Sequence, residues 1–496
     1  MKNNIKYISV RCMYLVLVTI FFTQSMAHAQ TVTVIPEKAY NYVDGIGFNT
    51  HLKWNTSVYY TAFESVIYPK LKKLGIKHIR DAVPYKSFIG GADTTLIRNR
   101  FIKLYDSLGI KVAYLTDSRK VIDSLYLRDS AAYLSVFKNS AKLRQTIQYL
   151  EGFNEPDLSI FKLYPANWDT LTYKIQKGLW QKAKSMPELQ GIPIVNTSLV
   201  TYWTIPSRPN KVAAMKPHIS NYFDMANFHT YDSGGANWKM FPGTYYDLSK
   251  KFFDTVRKAK PWVVTEIGYE NALDWNKPTG PNYQPSSYHY LSENSSGKYY
   301  SVMFMEMYKR GAKKVYAYEF IDQKTTDQSN NEMNFGILHT DGTEKPAYKA
   351  IKNTIDIMKD VSQAFAPAPF TFTMSGDTSH IRSSVYQKAD GRYYLALWQG
   401  QPNGVNYDYT NFTDLPADSQ AVNITFQFTA PQIKIYQPFV SASPVHSYQN
   451  QSSLAVQVPD HLLLIEITPA TTGNRSKPVE SKPAKQPVKR PAKKLQ

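Results

Sequence analysis

KKLGIKHIR, residues 72 to 80, shares one local grammar with DSLGIKVAYL, residues 106 to 115, and KRGAKKVYAYEF, residues 309 to 320. In each, a helical pattern stops at a glycine and an apolar run starts directly after it. Gly75, Gly109 and Gly311 fit the position past a helix terminus where the backbone turns left-handed. Lysine in the last turn suits the negative end of the helix dipole. Upstream lie apolar residues at helical spacing, namely Phe63, Val66, Ile67, Leu71 and Leu74 before the first glycine and Ile97, Phe101, Leu104, Tyr105 and Leu108 before the second. The repeating unit is a helix, a tight turn and a buried strand.

Comparable apolar runs recur at 44–51, 76–82, 110–116, 148–154, 192–198, 224–231, 261–267 and 314–320, which makes eight candidate strands. Helical patterns separate most of them, notably at 167–186, 244–259 and 298–310. Strands and helices alternating over about 300 residues predict a parallel sheet, and eight units are what a closed (β/α)8 barrel needs. The competing architecture is a doubly wound open sheet, but no Gly-rich phosphate loop follows the first strand, so its nucleotide-binding version lacks support. The expected fold class is α/β, a (β/α)8 TIM barrel over 40–358 followed by an antiparallel β-sandwich domain.

The sandwich is expected over 365–470, where the period changes from helical to two. AVNITFQFT, residues 421 to 429, alternates strictly, with Val422, Ile424, Phe426 and Phe428 on one face. Ala389-Asp390-Gly391-Arg392 reads as a hairpin turn between strand-like runs. The stretch at 31–37 is a candidate edge strand for the same domain.

The 496-residue chain is long enough for two cores. Residues 1–29 read as a secretory signal, with Lys2, Lys6 and Arg11 at the basic start, an apolar run from Tyr14 to Phe22 and a small-residue cleavage site at Ala27-His28-Ala29. A secreted or periplasmic protein beginning near Gln30 is expected, and retention of the signal as an anchor is the alternative. No later run approaches the length of a membrane span. The sole cysteine, Cys12, lies inside the signal, which excludes disulfides, a thiolate nucleophile and cysteine metal sites from the exported part. Of the net charge of +19, the signal carries +3 and residues 471–496 carry +7, leaving +9 for the folded part. That remainder fits a solvated surface or an acidic glycan and does not call for nucleic acid. The Pro- and Lys-rich end, SKPVESKPAKQPVKRPAKK, cannot bury a core; it reads as a solubilising tail or as an electrostatic contact to acidic envelope polymers.

In a parallel barrel the functional groups sit where the strands end, on one rim. Those ends supply Asn49 and His51, Arg80 and Asp81, Asp117, Asn154 and Glu155, Asn196, His229 and Tyr231, Glu266, and Glu319. An acid closing an apolar strand carries a desolvation cost that pairing, metal binding or catalysis must offset. Glu155 closes strand four and Glu266 closes strand seven, on opposite sides of the barrel mouth. Two such carboxyls can face one sugar, and a separation of about 5 Å favours hydrolysis with retention through a covalent glycosyl-enzyme. No set of His and carboxylates at metal-ligand spacing stands out, so neither metal nor organic cofactor is expected.

GFNEPD (152–157) and VVTEIGY (263–269), with NFHTY (227–231) between them and Ile79-Arg80 after strand two, resemble clan A glycoside hydrolases, in particular the family 39-like and cellulase-like members. The resemblance covers 40–355 and in outline the sandwich, and FGILHTDGTEKPAYKA (335–350) is similar to the segment that follows the last barrel strand in such enzymes. Asn-Glu-Pro alone is a weak motif; in register with the strand-seven Glu it is specific. The resemblance implies that Glu155 is the acid/base and Glu266 the nucleophile, and that His229 and Tyr231 are the clan's His-x-Tyr. Chemistry agrees: Arg80 and a tyrosine hydroxyl could keep Glu266 ionised, a drier setting beside that anion would keep Glu155 protonated, and Asn154 is placed for the sugar 2-hydroxyl. The chain departs from the pattern at strand eight, where many members end in Trp and this one reads YAYEFID, so Glu319 is expected to meet substrate hydroxyls instead. Asn49 and His51 complete the expected substrate-binding rim. Trp54, Trp203, Trp238 and Trp275 are candidate platforms for sugar stacking. The expected substrate is a β-linked oligo- or polysaccharide, with the sugar, and exo or endo action, left open. A glycan-binding barrel without catalysis is the rival, although a binder needs no acid and nucleophile together.

Overall fold

The computed structural model describes residues 29–85, 93–116, 132–156, 168–199, 219–232, 242–272, 291–400, 407–408, 413–414 and 418–470. Asp117, Trp203, Trp238, Trp275, Cys12, the leader and the basic tail lie outside the described residues. After a short strand β1 (Gln30–Val34) and β2 (Glu37–Lys38), eight parallel strands follow: β3 (Ile46–Asn49), β4 (His78–Ala82), β5 (Lys111–Leu115), β6 (Ile147–Glu151), β7 (Ile194–Val195), β8 (Ala226–His229), β9 (Trp262–Ile267) and β10 (Ala312–Ala317). They pair in the order β7-β6-β5-β4-β3-β10-β9-β8. A parallel bridge between Val195 and Met225, with the Asn196 N–H donating to the Met225 carbonyl at 2.9 Å, joins the two ends of that order.

The turn grammar works as its residue types dictate. Gly75, Gly109 and Gly311 have φ of 84°, 69° and 97°, values an L-residue with a Cβ seldom adopts. The helix Thr94–Leu108 starts on Asp93, whose carboxylate accepts from the Thr95 and Leu96 N–H groups, and buries Ile97, Phe101 and Leu104. Helices Trp168–Ser185, Thr244–Arg257 and Glu293–Lys309 stand close to the spans that periodicity predicts, the last starting five residues earlier, where Ser292 caps it.

Inside the barrel the period of two separates two cores. Phe48, Ile79, Leu150 and Val264 face outward into the large cluster shared with the helices, whereas Ala113, Tyr149, Val195, Val263 and Tyr316 form a small cluster of their own. Gly47 makes room for the Tyr316 ring, which a Cβ there would approach to 2.6 Å. At the lower end Lys314 donates to Asp44 at 2.6 Å, and His78 Nε2 lies 2.8 Å from Lys314 Nζ and 2.9 Å from Asp44 Oδ1. Above the small cluster the inward positions supply Asn49, Arg80, Glu151, Asn227 and Thr265.

The C-terminal domain is one bent sheet that closes over itself. Its strands are β1, β2, β11 (Phe370–Gly376), β12 (Ile381–Gln387), β13 (Tyr393–Gln399), β16 (Gln420–Tyr436), β17 (His446–Val458) and β18 (Leu463–Thr468), while β14 (Tyr407–Asp408) and β15 (Thr413–Asp414) pair separately. The long β16 breaks register between Thr425 and Ala430, pairing with β11 before the break and with β18 after it. Its alternation puts Val422, Ile424 and Phe426 in a core with Phe370, Leu395, Leu463 and Ile465. β1 pairs antiparallel with β11, so the chain enters this domain before it builds the barrel and returns afterwards. The opposite face lies on the barrel: Tyr386, Tyr394 and Trp398 belong to the barrel's own apolar cluster. The Trp398 indole N–H donates to Glu306 of the helix Glu293–Lys309, and Arg382 and Arg310 pair with the same buried acid. Among the described residues no helix is long and apolar enough to cross a membrane.

Candidate active site

Arg80 is the hub of the upper end. It is the inward residue of β4 two positions beyond His78, and burial around it leaves no water to satisfy five N–H groups. All five find acceptors: Nε and Nη2 grip Glu151 at 2.7 and 2.8 Å, Nη2 also reaches Asn154 Oδ1 at 2.7 Å, and Nη1 donates to Asn49 Oδ1 at 2.9 Å and Glu266 Oε1 at 2.5 Å. Burial works against its charge, but Glu151 and Glu266 outweigh that and push its pKa above the ordinary arginine value.

Glu266 ends β9 with one oxygen on Arg80 and the other accepting from the Tyr231 hydroxyl at 2.8 Å. Burial alone would raise its pKa; the charges of His229 and Arg80 and the hydrogen bond from Tyr231 overcome this and hold it well below the ordinary carboxylate range. Glu155 follows β6 in a left-handed backbone conformation, φ 48°, which only the surroundings can impose on a residue with a side chain. Its N–H donates to the Ser198 carbonyl at 3.1 Å, and its Oε1 lies 2.8 Å from His229 Nδ1. Glu155, His229 and Glu266 bring one side-chain donor or acceptor atom each to within 4.8 Å of one another. Among the described residues this is the one group of His and carboxylates gathered tightly enough to consider for a metal. Its atoms are already engaged with Arg80, Tyr231 and Thr265, so the group forms a hydrogen-bonded cluster.

The other expected rim residues fall into two sets. Asn49 sits below the acids and uses its amide inside the protein, Nδ2 donating to the Thr265 carbonyl at 2.9 Å and Oδ1 accepting from Arg80. Asn154 lies against Arg80 and forms a parallel bridge with Ser198. Asp81 accepts from Thr50 Oγ1 and the Leu52 and Ala82 N–H groups, which shapes the loop after β3. Glu319, fully buried, accepts from the Tyr59 hydroxyl at 2.9 Å and from Gln323 at 3.0 Å, with His51 Nε2 3.2 Å away. Burial pushes its carboxyl up to about 8 against the lowering effect of Gln323 and Tyr59, with Asp322 and Glu266 adding to the rise. Burial likewise brings His51 down to about 3. Burial thus favours the uncharged form of each. Trp54 stacks on His51 with ring centroids 3.6 Å apart.

Sequence reasoning did not single out Glu151, Asn227, Thr265 or Tyr59. Glu151 is fully buried and accepts from Arg80, from Asn227 Nδ2 at 3.0 Å and from the Thr265 hydroxyl at 3.0 Å. The signal was present: an acid two residues after Tyr149 and four before Glu155 stands inside an apolar run.

No protein-family model and no curated protein matches the chain. Solved structures do. A glucosidase from Croceicoccus marinus aligns over 89% of this chain and 99% of its own at TM-score 0.59 and 12% identity. A family 39 glycoside hydrolase from the gut symbiont Bacteroides cellulosilyticus WH2 aligns over 88% and 83% at TM-score 0.57 and 13% identity. The chain has the fold of clan A glycoside hydrolases. An endo-β1,6-glucanase also aligns, over 88% of this chain and 94% of its own at TM-score 0.50 and 14% identity. The coverage includes the β domain as well as the barrel, so the likeness extends to the pairing of the two.

Proposed function

We propose that the protein is a retaining hydrolase of β-linked glycans in which Glu266 is the nucleophile and Glu155 the acid/base. The observation that carries this reading is the convergence of the two carboxyls, with His229, to within 4.8 Å, because retaining enzymes hold their pair at about 5–5.5 Å and inverting ones leave room for a water between. In the first step an ionised Glu266 oxygen bonds to the anomeric carbon as the glycosidic C–O bond breaks, and Glu155 gives its proton to the departing oxygen. In the second, water attacks the same carbon, Glu155 takes its proton and Glu266 is released. Arg80 and Tyr231 keep Glu266 anionic between turnovers, and Arg80 cannot follow it elsewhere because Glu151 holds two of its N–H groups.

The acid-rich rim and the full engagement of Arg80 support a neutral sugar at the cleavage point over the uronic acid that the overall positive charge favours. The leader at 1–29 supports export, which amino-terminal sequencing of the protein from its own host checks. The decisive experiment is incubation with 2-deoxy-2-fluoro aryl β-glycosides over a panel of sugars, followed by peptide mass analysis. The expected result is a glycosyl adduct on Glu266; binding of intact glycans with no adduct and no hydrolysis across the panel would replace this reading with that of a silent glycan-binding barrel.

A further inference from the structure

We infer that the lower end of the barrel, opposite the candidate site, is a docking face for an acidic polysaccharide, held by lysines that stand where the barrel strands begin. The inference does not depend on the roles proposed for Glu155 and Glu266, which lie at the other end. β4 is entered through Lys77, one residue before His78, and β5 and β10 through Lys111 and Lys313. Farther round, Arg144 precedes β6, Lys260 precedes β9, and Lys184 reaches the entry of β7 by donating to the Ile192 carbonyl at 3.0 Å. β3 and β8 begin after acids, Asp44 and Asp224, but a lysine already holds each, Lys314 at 2.6 Å and Lys184 at 3.0 Å. A positive ring thus surrounds the buried set of Asp44, His78 and Lys314 with no matching ring of acid.

Helix dipoles account for part of this ring. The last turns of the helices Tyr68–Leu74 and Trp168–Ser185 carry Lys72, Lys73, Lys182 and Lys184, as the negative end of a helix favours. Lys77, Lys111 and Lys313 lie outside helices, so that preference does not explain them. Lys77 and Lys313 are exposed and Lys111 is half-buried. Among the described residues none of the three has a carboxylate partner; Lys77 donates to the Leu108 carbonyl at 2.7 Å. Neighbouring strands stand about 4.8 Å apart, so these amines crowd one quadrant across β5, β4, β3 and β10. Burial and then the charge of Lys111 lower the Lys314 pKa against the pull of Asp44, which shows that the crowding is felt. A chain of anions laid across the quadrant relieves it.

The residue types select the occupant. A bilayer calls for apolar side chains among the cations, and the exposed large hydrophobics Ile35, Leu96, Leu248, Val361 and Val440 stand elsewhere than at the strand entries. Nucleic acid favours arginine forks, and Arg144, the arginine of the ring, already donates from Nη1 to the Phe137 and Lys138 carbonyls. Lysines on flexible stems act as point charges and follow carboxylates of variable spacing, which suits a polyuronate. The acid in excess at the upper end repels the same polymer, so docking leaves the mouth turned away from it. The positive balance of the folded part therefore acts away from the cleavage point.

Binding of the full chain to immobilised polygalacturonate tests this. The unmodified protein is compared with Lys77→Gln/Lys111→Gln/Lys313→Gln and with Lys174→Gln/Lys251→Gln/Lys349→Gln, three exposed lysines on the helical sides of the barrel. Both variants keep the tail and have the same net charge. At about 0.15 M salt the lower-end variant should lose about tenfold in affinity and the side variant less than about twofold, with hydrolysis of aryl glycosides unchanged in both. Should Lys111→Gln disturb folding, read by circular dichroism, the exposed pair Lys77→Gln/Lys313→Gln carries the test with about a threefold loss. Equal losses in both variants would reduce the effect to bulk charge, and no loss in either would assign the contact to the segment 471–496; each overturns the inference. Tighter binding to vesicles of anionic phospholipid or to duplex DNA, with the same lysine dependence, would overturn the choice of polysaccharide. Absence of any glycoside turnover would sink the reading of Glu155 and Glu266 and leave this measurement standing.

Discussion

Among the described residues each end of the barrel has a charge cluster, and the two are built on opposite plans. At the lower end Asp44, His78 and Lys314 form a closed set with one anion, one cation and a histidine that burial first of all pushes down to about 4. At the upper end Arg80 faces Glu151 and Glu266 together, with Glu155 and Glu319 close by, so acid is in excess. A balanced set needs nothing more, whereas an unbalanced one retains acceptors that a reacting group can use. The upper end also carries the left-handed Glu155, a conformation that costs about 1–3 kcal/mol and persists where the surroundings impose it. The difference separates a cluster that holds the barrel shut from one arranged for chemistry.

Four substitutions would break or sharpen that contrast. The largest effect is expected for Glu266→Ala, which should lower kcat by at least about 10⁴-fold with the unfolding temperature unchanged or raised, because Arg80 keeps Glu151 and the excess of acid falls. Assays with aryl glycosides and thermal unfolding read both, and a large loss of stability alongside activity would erase the contrast. Azide should restore turnover to this variant with inverted product. Next, Glu151→Ala should remove about 3–5 kcal/mol of stability in urea titration and about 10²-fold of kcat, since Arg80 loses its anchor and shifts against Glu266. Lys314→Met, at the lower end, should lower stability by about 1–3 kcal/mol, as Asp44 is partly solvated, and leave kcat within about twofold.

The smallest effect is one of pH. Folding raises the Glu319 pKa from 4.5 to about 8, so the folded state keeps this proton longer than the unfolded chain does. Its contribution to stability is complete below pH 4.5 and is lost as pH climbs towards about 8. Urea midpoints of Glu319→Gln should therefore fall less than those of the unmodified protein across that window, and parallel curves would show that this acid is solvated after all.

Much of this arrangement can be read in the amino-acid order, and what cannot has a physical cause. The glycines that end helices and the acids that end strands are positional signals, because a left-handed turn and a barrel rim each demand particular residue types. Glu151, Asn227 and Thr265 escaped because a parallel barrel strand is buried on both sides and reads as one apolar run, in which isolated polar residues look accidental. Their order emerges only when alternate residues are compared: His78 with Arg80, Tyr149 with Glu151, Asn227 with His229, Val263 with Thr265. Asn49 is a different case. It stands at a strand end, as a ligand-binding amide would, yet its contacts with Arg80 and the Thr265 carbonyl bind the framework beneath the acids. Contacts of that kind depend on which strands are neighbours across the barrel, a matter of closure that no local pattern encodes.

Trimming the molecule to its barrel would not yield a smaller working unit. Glu306 lies fully buried where the two domains meet, and removing residues beyond about 365 would take away Arg382 and Trp398, leaving that acid with Arg310 alone. The same cut would lay bare Tyr42 and Tyr308, which now pack against Tyr386. The β domain thus acts as a permanent cover for one flank of the barrel, and any shortened version intended for industrial or crystallographic use needs that flank redesigned with apolar contacts replaced by solvated ones.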